Sequence, residues 1–351
     1  MKRFVTFILC IAVIAIGVYF VIDKKQLVDL EDFKQLTKES LPKIKSNQEE
    51  KEVLPFFEGD LFSYIGKNSE KLIDDLGDPD RKDMSAYGYT WWVYTDEEST
   101  YMQFGVEDDE VVTIFASGED VLTDPISIGD SYEEVNEAFN FEDEIEYKDD
   151  LSFYKFLMSD EDLRTNPLVK VSDDVFVSAY FDTFTDELSS VRMMTGDTLL
   201  QQRIYEIEYR GSLPDPIELS DDEWEKVESG MEKQIFDLSN IYRHRFGVGA
   251  LKKDKEVQEV AYLHSKDMQD NEYFSHYAED GSGLKERLQE KNIYYMTAGE
   301  NIAAQHTDAP AAMEGWLNSE GHREALLNDE YTHLGVGVYH LYYTQNFLFK
   351  P

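Results

Sequence analysis

The sequence predicts an α+β protein with antiparallel sheets, built in three stretches, and three observations predict it. Residues 4–22 hold a single polar side chain, Thr6. Ile65-Gly66-Lys67-Asn68-Ser69 returns as Ile128-Gly129-Asp130-Ser131-Tyr132, 63 residues later, and each copy leads into aromatic-rich strand patterns. The last third mixes amphipathic helix patterns with two closing strand patterns and carries all seven histidines, between His244 and His340.

The first stretch reads as a membrane segment. Nineteen residues would span roughly 28 Å as a helix at about 1.5 Å per residue, close to the thickness of a bilayer's hydrocarbon core. Lys2 and Arg3 precede it, and Asp23, Lys24 and Lys25 follow. A cleaved signal usually has a shorter apolar region ending in small residues. Here Val18-Tyr19-Phe20-Val21-Ile22 runs on past the weak candidate Ala15-Ile16-Gly17. An uncleaved single-pass anchor is the expectation, with a cleaved signal and a secreted product as the alternative. Cys10, the lone cysteine, lies inside this run, so no internal disulfide is available.

Residues 23–54 are mostly charged or polar, with Leu27, Leu30, Phe33 and Leu36 at helical spacing, and read as a stalk. A second break falls at Gly211-Ser212-Leu213-Pro214-Asp215-Pro216. The expected organisation is 1–22 anchor or signal, 23–54 stalk, 55–210 acidic repeat domain, 211–222 linker and 223–351 C-terminal domain.

Each repeat copy starts with a short helix, through Leu72, Ile73 and Leu76 in the first and Val135 and Phe139 in the second. Strand patterns follow at 89–94, 101–104 and 111–115, then at 153–157, 175–181 and 190–194. A tandem of helix-plus-small-sheet units accounts for them. Acidic side chains gather in the turns between, as in Glu107-Asp108-Asp109-Glu110. They lack the glycine and distal glutamate of a calcium loop and read as a solvated face.

The charge excludes one class of partner. Lys and Arg total 33 against 73 Asp and Glu, a formal charge of −40, and residues 83–147 contain 19 acids with no Lys or Arg. Phosphate-backbone binding needs a basic surface, so no nucleic acid is expected.

In the C-terminal block a helix runs through Met231, Ile235, Leu238, Ile241 and Tyr242 and ends near Gly247. A second covers about 255–269, with Val257, Val260, Ala261, His264 and Met268 on one stripe, making His264 a core histidine. Asn271 to Ser275 form a turn that delivers His276 into a loop. Gly299-Glu300-Asn301-Ile302-Ala303 places a carboxylate after a glycine, and Trp316 to Arg323 leads into Ala325, Leu326 and Leu327. His333 to Tyr339 and Tyr342 to Phe347 read as strands. Asn301 reads as a loop-ordering residue, Trp316 as a packing anchor and Arg323 as a salt-bridged helix residue.

Five ordered segments here resemble the CAP superfamily of cysteine-rich secretory, antigen 5 and pathogenesis-related 1 proteins, in its bacterial form without cysteines. They are His264-Ser265 with Asp267-Met268, Phe274-Ser275-His276, Gly299 to Ala303, Trp316 to Arg323, and Gly335-Val336-Gly337. The repeat block resembles the CAP-associated N-terminal domain. The resemblance implies an α-β-α sandwich with a cleft of two histidines and two acids. Carried over, His276 and His322 match the histidines and Glu300 the first carboxylate. Ser319 stands where eukaryotic relatives carry the second, leaving its neighbour Glu320 as the candidate.

Two imidazoles and a carboxylate from separate loops suit zinc or another divalent metal held by His276, His322 and Glu300. They equally suit proton transfer, or a hydrogen-bonded network that orders three loops. Neither Gly-x-Ser-x-Gly nor His-Glu-x-x-His occurs. The expected function is therefore a membrane-tethered extracytoplasmic module binding a lipid, glycan, peptide or other cell-wall component. A cell-surface metal-dependent hydrolase at the same residues is the alternative. A third reading gives the work to the acidic repeat, as a dock for a basic protein or wall polymer.

Overall fold

Two adjacent tryptophans show how the N-terminal half is built. Successive strand residues face opposite sides of a sheet, so Trp91 and Trp92 enter separate cores. The structure, a computed structural model, describes residues 61–351 apart from 122 and 150. The expected membrane segment at 4–22 and the stalk at 23–54 lie outside the described residues. Among the described residues no helix is long and apolar enough to cross a membrane.

The first repeat copy is a 3-10 turn at Leu61–Tyr64, helix α1 (Glu70–Leu76) and a meander of β1 (Arg81–Met84), β2 (Thr90–Thr95), β3 (Tyr101–Glu107) and β4 (Glu110–Ser117). The second opens with α2 (Tyr132–Phe139), whose start is fixed by a capping box. There Ser131 Oγ accepts from the Glu134 N–H, and the Glu134 carboxylate accepts from the Ser131 N–H. It continues through β5 (Glu144–Asp149), β6 (Ser152–Leu157), α3 (Asp160–Thr165), β7 (Leu168–Lys170), β8 (Val175–Asp182) and β9 (Glu187–Thr195). Helix α4 (Gly196–Gln202) and β10 (Glu206–Arg210) close the block.

The copies do not keep separate small sheets. Their strands join in one seven-stranded sheet, ordered β1-β2-β3-β4-β9-β8-β7, with β4 antiparallel to β9 from Thr113↔Met194 to Ser117↔Ser190. The physical reason lies in β4 and β9 themselves, which are buried along nearly their whole length. An unpaired edge cannot be left there, and each strand covers the other's. Residues 153–157 belong instead to a separate three-stranded sheet, β10-β6-β5.

The C-terminal block contains α5 (Asp221–Arg245), β11 (Lys252–Lys253), α6 (Lys255–Asp270), α7 (Leu284–Glu290) and β12 (Thr297–Ala304). Then come α8 (Ala309–Leu317), α9 (Glu320–Leu326), β13 (His333–Tyr339) and β14 (Tyr342–Phe349). Its four-stranded sheet, ordered β11-β13-β14-β12, lies between α6 on one face and α5 with α8 on the other, an α-β-α sandwich. Glycines let α6 approach the sheet closely. A Cβ at Gly335 would meet the Gln258 amide nitrogen at 2.3 Å, and one at Gly337 would meet that of Tyr262 at 1.9 Å.

The expected linker does not separate two independent bodies. Residues 61–351 form one compact unit, and the large sheet packs Tyr89, Trp91, Phe115 and Tyr180 into the same core as Ile235, Leu238 and Met313. Polar bridges cross this junction too. Buried Arg192 of β9 reaches Asp308 at 2.8 Å, and Glu314 of α8 accepts from the hydroxyls of Ser189, Ser190 and Tyr242. A register shift at Tyr180/Phe181 lets neighbouring Ser189 and Ser190 both turn toward Glu314.

Candidate functional site

β12 is the outermost strand of its sheet, and the site is built around it. Near its far end the Trp316 indole N–H donates to the Ile302 carbonyl at 3.0 Å. Trp316 is thus the packing anchor expected, buried and covering part of the strand's free side.

Glu300 stands in mid-strand with its side chain only 5% exposed, and three basic groups from the α6–α7 side converge on it. His276 Nδ1 lies 3.0 Å from Oε1, Arg287 Nη2 lies 2.5 Å from Oε2, and His264 Nε2 lies 4.0 Å from Oε1. Arg287 also donates to the His276 carbonyl at 3.1 Å, so one guanidinium holds both the carboxylate and the loop that presents the histidine. Burial alone would raise the Glu300 carboxyl. The His276 hydrogen bond and the Arg287 charge outweigh it and hold the group below its ordinary value.

His264 is a core histidine, as its stripe predicted. Its Nε2 lies 3.1 Å from the Ser275 carbonyl, which can only accept, so Nε2 carries the proton. Burial pushes its pKa down to about 4 against the partial opposition of Glu300, and the ring is neutral near pH 7.

The same argument assigns the tautomer of neutral His276. The Glu300 carboxylate accepts a hydrogen bond from Nδ1, so Nδ1 carries the proton and Nε2 is left as a free acceptor on a half-exposed ring. His322 approaches from α9, with the two ring centroids 6.4 Å apart. Burial, then the neighbouring His276, lowers the His322 pKa. Asn301 fixes it from behind, its amide donating to the His322 carbonyl at 3.0 Å and to Gln345 Oε1 at 3.1 Å. Asn301 does order the site, through these partners rather than its own backbone.

Glu320 is not brought in. It lies two residues before His322 on α9, and residues two apart on a helix do not share a face. It is exposed, and its side chain forms no hydrogen bond or ion pair among the described residues. The remaining histidines are also scattered; His340, for instance, stacks on Trp224 with ring centroids 4.6 Å apart. Arg323 is the salt-bridged residue expected, but its partner is Asp182 of the repeat block, at 2.8 Å. Arg287 escaped the sequence reading because Leu-Lys-Glu-Arg-Leu-Gln-Glu carries no motif, and only the fold aims it at Glu300.

The trio His276, His322 and Glu300 does not form a three-donor metal shell. Both Glu300 oxygens are engaged, one by a guanidinium that already neutralises the carboxylate. Among the described residues no group of three or more His, Cys, Asp or Glu side chains converges as metal ligands would. The geometry gives Glu300 an orienting role behind His276, like that of the carboxylates that back ligand histidines. Beyond Glu300 the imidazoles of His276 and His322 lie beside each other, that of His276 half-exposed.

The comparisons agree with this architecture. The profile of the CAP-associated N-terminal family matches residues 65–205, and that of the cysteine-rich secretory protein family matches 236–349. The chain is 47% identical over 290 residues to the membrane protein YlbC of Bacillus subtilis, covering 82% of this chain and 83% of that one. It is similar to a solved extracellular protein with an SCP domain from Bacillus anthracis, at 45% identity and a TM-score of 0.79, covering 83% and 95% of the two chains. A cysteine-rich secretory protein from Staphylococcus aureus, 26% identical, superposes with a TM-score of 0.75 over 84% and 94%. With its sandwich, its ordered cleft segments and its fused repeat block, the chain belongs to the CAP superfamily, in the form that carries a CAP-associated N-terminal domain.

Proposed function

We propose that this protein is a membrane-tethered, extracytoplasmic binding module whose cleft takes a glycan, peptide or lipid between His276 and His322. One observation carries the reading. His276 is fixed by Glu300 and Arg287 with its Nε2 open, opposite a second imidazole, yet among the described residues no hydroxyl or thiol side chain bonds to either ring. An oriented acceptor without a nucleophile beside it suits recognition better than acyl transfer. The apolar run at 4–22, the membrane assignment of YlbC and the extracellular assignment of the Bacillus anthracis relative support the location. A charge of −40 disfavours a polyanionic ligand.

The test uses the full chain in detergent, selectively labelled at histidine and titrated separately with a muropeptide and with short-chain phospholipid. The His276 and His322 ring resonances should move together with one of these probes, and the response should vanish in His276→Ala. If neither probe moves either ring, the binding reading is wrong. New muropeptide products that need added zinc and disappear in His276→Ala would establish the hydrolase instead.

A further inference from the structure

The helix carrying His322 is short, and its placement comes from outside the C-terminal domain. α9 has seven residues, too few to hold a position by its own backbone bonds. The β8–β9 hairpin of the repeat block reaches the α8–α9 junction and occupies its polar groups. Asn318 Oδ1 accepts from both the Thr183 N–H and the Thr183 hydroxyl, each at 2.8 Å. Its Nδ2 donates to the Phe181 carbonyl at 2.8 Å and to the Glu314 carbonyl at 3.2 Å. The amide therefore ties the end of β8 to the end of α8, one residue before Ser319 at the start of α9.

A second tie lies one residue past His322. Arg323 Nη1 is 2.8 Å from Asp182 Oδ2 and donates to the Leu317 carbonyl at 3.1 Å. Its guanidinium also lies over the rings of Phe184 and Phe246, at 4.9 and 4.7 Å. Asp182 is fully buried, and Arg323 is its one ion-pair partner among the described residues. A buried carboxylate needs such a partner, so the arginine cannot leave cheaply.

We propose that the CAP-associated domain positions His322: Asp182 and Thr183, acting through Arg323 and Asn318, set where α9 presents the histidine to the cleft. The inference rests on the reading of His276 and His322 as the ligand-facing pair. Asp182 and Thr183 touch no ligand and are positioning residues. Their role explains why a repeat block without a catalytic constellation is fused so tightly to the cleft domain.

The test reads the titration of His322 in the full, histidine-labelled chain, with no ligand present. Two variants are compared with the parent: Asp182→Asn, which keeps shape and removes charge, and Asn318→Leu, which removes all four amide bonds. Released from the hairpin, α9 lets the His322 ring hydrate, so its midpoint, held down by burial, should rise toward the ordinary imidazole value. His264, held by α6, should stay unchanged, and Asp182→Glu, which keeps the charge, should leave His322 closer to the parent than Asp182→Asn does. A parent-like His322 titration in Asp182→Asn overturns the proposal. If Asn318→Leu unfolds, which the His264 resonance reports, Asp182→Asn decides alone. Failure of every ligand probe would sink the binding reading and leave this result standing; an unmoved His322 beside intact binding would sink only the positioning.

Discussion

Glu300 shows how far one side chain's environment departs from what its neighbours in sequence suggest. Its motif located it, and the matching motifs located His276 and His322, because each stands in a short run of distinctive residues. What those runs do not contain is the Arg287 guanidinium that fixes the carboxylate. Replacing Arg287 by Met keeps the aliphatic bulk and leaves a buried carboxylate whose side-chain hydrogen bond comes from His276 alone, with the neutral His264 ring 4.0 Å away. The expected cost is about 2–4 kcal/mol, read as a lowered urea midpoint at pH 7. His264 supplies a pH signature at the same scale. Its folded pKa of about 4 lies below the ordinary 6.5, with Glu300, Arg287 and Asp267 as the charges around it. The unfolded chain therefore binds this proton first. The contribution to stability is intact above about pH 6.5 and drains as pH falls toward 4. His264→Gln should remove about one proton from the pH dependence of unfolding in that window, measured by urea melts at half-unit steps.

Among the elements, the sequence disclosed the strands with two neighbours and hid those with one. β2, β3, β4, β8 and β9 are central and read plainly as aromatic and β-branched runs. β1 (Arg-Lys-Asp-Met), β5 (Glu-Ile-Glu-Tyr-Lys-Asp) and β10 (Glu-Ile-Glu-Tyr-Arg) are outermost in their sheets. Edge strands are kept polar, which erases the alternation a reader looks for. β12 is hidden for the same reason, with the site's own glycine and carboxylate in its middle. The packing of α6 on β13 was legible only as two glycines, and its distances make a sharp prediction. Gly337→Ala would drive a Cβ into the backbone of α6, so it should cost about 3 kcal/mol and lower the thermal midpoint, whereas Gly249→Ala, in open space, should not. At the edge of β13 that β11 leaves free, α5 presents Glu232, which accepts from the Val338 N–H at 3.3 Å and from the Gln258 amide of α6 at 2.6 Å. Burial, partly opposed by these hydrogen bonds and by Lys253, pushes its carboxyl up to about 7; Glu228 adds to the rise. Here the sign is opposite to that of His264: the contribution is complete below about pH 4.5 and is lost as pH rises through 7. Glu232→Gln should accordingly be more stable than the parent at pH 8, by urea unfolding, with the advantage gone at pH 4.5.

For the whole molecule, the proline-rich stretch at 211–216 suggested two bodies on a linker, because composition reports local chain stiffness and says nothing of what the flanking surfaces touch. The surfaces prove to be a shared core crossed by buried charges. Asp308 is the clearest of these. Its Oδ1 accepts from the Ala311 N–H to cap α8 and also receives Arg192 from β9, so one carboxylate both starts a helix of one domain and binds the other. Asn caps a helix about as well as Asp, so Asp308→Asn keeps the cap and deletes the ion pair, stranding a fully buried guanidinium. The expected loss is about 3–5 kcal/mol. Its distribution is the real question. If the two halves fold as one cooperative unit, native-state hydrogen exchange should give β4 and β9 the same limiting opening energy as β13 and β14. Asp308→Asn should then lower both by equal amounts. A loss confined to one sheet would mean that the halves open separately and that the junction is a docked contact. Equal loss would mean that neither domain has a stable fold to which the cleft could be referred without the other.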